Sequence, residues 1–194
     1  MNFDQLLAHI KGEGCRIRVW HKRQYIDGSV GTFDITEAGP IINIAARGES
    51  KKRTMNTLLH EYGHYIQWKD GFISCIEAVC PTHELYYHWL KGNRDLSQIE
   101  LTSARNAMLW IEWDAEMRGY KLGTKLKING FDPDYYLKGA MAYMISIKWS
   151  WANRSDWKIC ASPYDIKRAK IYSIDELFAP LTRTEKALTK CIRC

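Results

Sequence analysis

The stretch "HEYGH", residues 60–64, has the form His-Glu-x-x-His. On an α-helix, residues i and i+4 share a face. His60 and His64 can therefore turn imidazole nitrogens toward one point, at the roughly 2 Å that separates a histidine ligand from zinc. Glu61 falls about 100° round such a helix. A carboxylate there can take a proton from a water activated by the metal without being a ligand itself. The chemistry that these residue types allow at this spacing is metal-assisted hydrolysis. A shuffled chain of this composition would carry roughly 0.01 such motifs, so two unrelated histidines on one solvated face is the poorer reading. Gly63 adds to the case. A glycine inside a helix costs about 1 kcal/mol relative to alanine, and one placed three residues after His60 calls for another segment packed close to the helix there.

A catalytic zinc site takes three protein ligands and keeps a fourth position open. The segment "WIEWDAEMRGY", residues 110–120, offers Glu112 and Glu116 one helical turn apart, with Ala115 and Gly119 on the same face. Small residues on that face would let a second helix approach Gly63. One glutamate would complete the ligand set while the other accepts from the far ring nitrogen of a histidine. Glu112 as ligand and Glu116 behind the histidine is the favoured arrangement, and the reverse stays open. The flanks Leu109, Trp110, Trp113 and Met117 predict a buried helix, in which a carboxylate needs a partner. Tyr143, on a later helix, is the nominee for a donor to a developing oxyanion, with core packing as the plainer reading.

"HEYGH" followed by "EWDAE" resembles the gluzincin arrangement of zinc metallopeptidases, in which His-Glu-x-x-His precedes a Glu-x-x-x-Asp/Glu helix. The "E-x-D-x-E-x-R" segment, the aromatic "AYMISIKW" and the later "SPYD" are similar to small uncharacterised metallopeptidases of phage genomes. The resemblance implies a minimal zincin-like fold, Zn2+ as cofactor, a protein or peptide substrate, and an origin in a phage acting in the cytoplasm of a bacterial host. Glu116 stands where the thermolysin-like pattern has Asp, which leaves the choice between Glu112 and Glu116 open. Three other readings share the motif: a regulator that cleaves one protein, a non-catalytic binding or regulatory protein with a vestigial metal site, and a nucleic-acid-associated protease. The last would use a third histidine on a suitable helix, and the sequence offers none.

Six cysteines, at 15, 75, 80, 160, 191 and 194, read as reduced thiols. A sharper alternative joins Cys75, Cys80, Cys191 and Cys194 in a second metal site; Cys160 is a remote candidate to join the histidines. In "HELYYH" the pair His83 and His88 would diverge on a helix, and His9 and His21 have no partner pattern. The net charge of +6 comes from scattered Lys and Arg with no nucleic-acid-binding signature, so it reads as a solvated surface. No apolar run is long enough to span a bilayer. The N-terminus reads as an amphipathic helix and not as a signal peptide, which places the protein in the cytoplasm.

The elements that must position these groups are legible in outline. At 194 residues and 46% hydrophobic, the chain reads as one domain, residues 1–194, of the α+β class. Strands are expected at 15–20, 28–36 after an Asp27-Gly28 turn, and 40–46 after Gly39-Pro40. "PIINIAA" is the expected sheet edge on which an extended substrate would pair. Ser50 and Gly71 bound the motif helix. Helices follow at 72–80, from Thr82, at about 98–122 with Gly123 or Asn129-Gly130 as its stop, from Pro133 after an Asp132 cap, and at "SIDELF".

Overall fold

The computed structural model describes residues 1–20, 29–46, 50–80 and 85–153. The architecture is α+β: a three-stranded mixed sheet followed by helices. The described residues fall into two compact units, one of Met1–Phe72 with Asp114–Tyr136, the other of Ile73–Trp113 with the described residues from Leu137.

The first unit opens with α1 (Phe3–Gly12), held by a reciprocal cap in which Asn2 accepts from the Gln5 backbone and Gln5 accepts from that of Asn2. Its Leu6 and Ile10 are wholly buried. Then come β1 (Arg16–Trp20), β2 (Gly31–Thr36) and β3 (Gly39–Ala45). The sheet order is β1-β3-β2, with β1 parallel and β2 antiparallel to β3. β3 is therefore the central strand. It carries the most apolar sequence because both of its neighbours are strands and Ile42 and Ile44 point into the core. The expectation that "PIINIAA" forms an edge fails for the same reason: its backbone is already paired on both sides. Pro40 is tolerated because the ladder to β1 begins only at Ile41. The edge strands among the described residues are β1 and β2. β1 is less buried than its alternating sequence suggests, since Val19 and Trp20 are exposed.

The motif helix α2 (Lys51–Lys69) starts where expected, with Ser50 Oγ accepting from the Arg53 backbone N–H, and stops at Asp70 before Gly71 at φ +72°. Leu58, Leu59 and Met55 turn into the core against Ile42 and Ile44.

The long helix α5 (Gln98–Lys125) belongs to the second unit up to Trp113 and to the first from Asp114. It does not end at Gly123. That glycine lies inside the helix because the Phe131 ring covers it, and a Cβ there would come within 2.6 Å of the ring. The reversal comes later, at Lys127 (φ 47°) and Gly130 (φ 82°). Asp132 then caps α6 (Pro133–Asn153) by accepting from the Tyr135 N–H. The Lys52 ammonium beside it, together with that N–H, holds its carboxyl below the usual range.

In the second unit α3 (Phe72–Val79) and α4 (Leu85–Leu90) precede α5. Tyr86 and Trp89 pack on Ala104 and Met108, and Leu109 packs on Met144 and Ile147. Trp110 is 42% exposed, so it does not help to bury the helix as its sequence suggested. Among the described residues no helix is long and apolar enough to cross a membrane. Thr82, His83, His21, "SIDELF", "SPYD", Cys160, Cys191 and Cys194 lie outside the described residues, and with them any test of the four-cysteine site.

Candidate metal centre

α2 and the Asp114–Lys125 stretch of α5 meet with almost no space between their backbones. A Cβ on Gly63 would lie 2.2 Å from the Ala115 carbonyl oxygen, and one on Gly119 would lie 2.7 Å from that of Leu59. Both are far below van der Waals contact, so only glycine allows this approach. It brings the side chains that flank Gly63 on α2 against those that flank Ala115 on α5.

His60 and His64 then meet edge to face, their Nε2 atoms 3.2 Å apart. Two nitrogens bound to one tetrahedral zinc at 2.0–2.1 Å stand about 3.3 Å apart. His60, His64 and Glu112 each bring one ligand atom within 4.8 Å of the others. They are close enough to bind a metal ion, and among the described residues they are the one such group.

What lies behind the two rings decides which nitrogen faces the cluster. Glu116 Oε1 is 3.2 Å from His60 Nδ1. Gln67 Oε1 is 2.9 Å from His64 Nδ1. The Gln67 oxygen accepts, so His64 Nδ1 carries the proton and His64 Nε2 presents a lone pair. That lone pair needs something positive between it and His60 Nε2, 3.2 Å away. A shared proton would meet that need for the pair alone. A divalent cation also accounts for Glu112, a carboxylate only 7% exposed, at the same place. The ligand set of two imidazoles and one carboxylate is one that zinc takes in catalytic sites.

Glu61 follows His60 on α2 and is 6% exposed. The edge strand β2 passes over it, and Gly31 makes the passage possible: a Cβ there would stand 2.6 Å from Glu61 Oε1 and 2.5 Å from the Thr57 methyl. Tyr143 lies in the second unit, partly buried against the cluster of Leu109, Met144 and Ile147.

Sequence reasoning gave no role to Gln67, Asp114, Arg118 or Gly31. Gln67 has no exposed surface. Its Nε2 donates to Asp114 Oδ2 at 2.9 Å. Arg118 in turn donates from Nε to Asp114 and from Nη1 to Asp70. Burial works against the Arg118 charge, but the bonds to Asp70 and Asp114 outweigh it and its pKa is raised. The i,i+4 spacing of Asp114 and Arg118 was available as a signal. Gln67, three residues after His64, stood on the histidine face with nothing to distinguish it from a solvated glutamine. No family model matches the chain, and no curated protein or solved structure matches it either.

Proposed function

We propose that the protein is a zinc-dependent hydrolase of peptide (amide) bonds, acting on a protein or peptide in the cytoplasm. The observation that carries this reading is the convergence of one ring nitrogen each from His60 and His64 and a Glu112 carboxylate oxygen within 4.8 Å, with the buried Glu61 next in sequence to His60. Zn2+ held there would supply Lewis acidity, lowering the pKa of a coordinated water toward ~7 and polarising a carbonyl. Glu61 would be the group that holds the proton of the attacking water and returns it to the leaving nitrogen as the C–N bond breaks. Its burial keeps this carboxylate away from bulk water, where proton transfer to solvent would compete. Glu116, 3.2 Å from His60 Nδ1, would favour a cation at the His60 ring.

The outer edge of β2 is the place for an extended substrate. Its backbone groups on that side have no strand partner among the described residues, and its Gly31 end lies over Glu61. Pairing there would set a peptide's carbonyls along the strand beside the base.

The test is hydrolysis of a peptide library, followed by mass spectrometry, before and after chelation. Cleavage that disappears with the metal and returns with added zinc is the expected result. Cleavage that survives complete metal removal would contradict the proposal.

A further inference from the structure

The two histidines are held by different chemistry. Behind His60 stands a carboxylate, Glu116; behind His64 stands a neutral amide, Gln67. An amide has a donor end and an acceptor end of nearly the same shape, so its orientation must be imposed. We infer that Gln67 is a positioning residue whose orientation, fixed by Asp114 and Arg118, selects the Nδ1–H tautomer of His64.

Arg118 is a permanent cation with donors only. It is ion-paired to Asp114 by Nε and to Asp70 by Nη1. The Asp114 carboxylate, engaged in this way, offers acceptors only. It lies 2.9 Å from the Gln67 side chain, which must turn its NH2 end toward it. The reverse orientation would set the amide oxygen against the carboxylate oxygen at that distance, in a site with no exposed surface to relieve it. With the NH2 end so placed, Oε1 faces His64 Nδ1 at 2.9 Å. An amide oxygen only accepts, so Nδ1 donates and Nε2 is left as the lone pair. Four side chains thus carry the polarity of one guanidinium to a ring nitrogen. Asp70, the C-cap of α2, anchors the outer end.

The consequence for cation binding rests on the function proposed above, whereas the tautomer does not. The experiment reads both. In metal-free protein at alkaline pH, ring 15N shifts of His64 report which nitrogen bears the proton. Zinc affinity is measured separately, by competition with a chromogenic chelator.

The wild type is expected to show Nδ1–H. Gln67→Met, which keeps the length and removes both polar ends, is expected to move the population toward Nε2–H and to weaken zinc binding roughly 10–100-fold. Asp114→Asn frees the amide to turn and should shift the tautomer in the same direction, which covers the case in which Gln67→Met does not fold. A residue that served packing alone would lower affinity and leave the tautomer unmoved. An Nε2–H wild type, or a folded Gln67→Met or Asp114→Asn protein with an unchanged tautomer, would overturn the inference. If the tautomer behaves as expected but the wild type takes up no zinc, the inference stands and the metal reading falls.

Discussion

Replacing Glu61 by glutamine is expected to leave fold and zinc uptake intact while hydrolysis falls by roughly 100- to 10,000-fold. Glutamine keeps the shape of the side chain under Gly31, where the clearance is small: the space for a Cβ there is only 2.6 Å from Glu61 Oε1. On the proposed function, what it removes is the acceptor that takes a proton from water and returns it to the leaving amine. Neither residue type at this position ligates the cation, so metal content should not change. The measurement pairs kcat on a cleaved peptide with zinc per chain in the same preparation. Retained turnover in a zinc-loaded variant would remove Glu61 as the base. Lost turnover with an unaffected cellular role would favour the non-catalytic binding protein, for which the carboxylate is a relic.

The second large effect is structural. Gly63→Ala replaces the least favourable common helix residue by the most favourable, which by propensity alone stabilises by about 1 kcal/mol. The contact reverses the sign. The new methyl would stand 2.2 Å from the carbonyl oxygen of Ala115, which is backbone and cannot rotate away. Separating α2 from α5 to make room strips contacts along both helices, and overpacking of this kind costs typically 1–3 kcal/mol and sometimes more. Net destabilisation of roughly 2 kcal/mol, with weakened zinc binding, is expected in urea unfolding and chelator competition. Gly12→Ala serves as the control. It lies at the end of α1, with nothing within 4 Å of the added carbon, and should be neutral or slightly stabilising. A Gly63→Ala protein as stable as the parent would mean that the two helices are not packed as described.

These two predictions show what the sequence carried and what it did not. His60, Glu61 and His64 were legible because helical periodicity alone puts them on neighbouring faces. Gly63 and Ala115 were legible as a close approach because an interior glycine is costly and needs a reason. The ends of α2 were legible from Ser50 and Gly71, which act locally. Sheet order was not. β1 pairs in parallel with β3, across β2 in the chain, and no local pattern specifies such a pairing, so the central strand was taken for an edge. Of the two stops the sequence offered, Gly123 fails because its reason for being glycine, the Phe131 ring, lies beyond the helix itself. Gln67 was passed over because its orientation depends on a hydrogen bond to Asp114, on another helix. In each miss the deciding contact was tertiary.

The central claim is that two imidazoles and a carboxylate gather round a cation, and the most direct test is the zinc content of the folded chain. Untagged protein, stripped of metal and then dialysed against zinc, should bind about one ion per chain at this site, and His64→Ala should lose it. A folded wild-type chain that takes up no zinc, or a His64→Ala chain that binds it as tightly as the parent, would contradict the account.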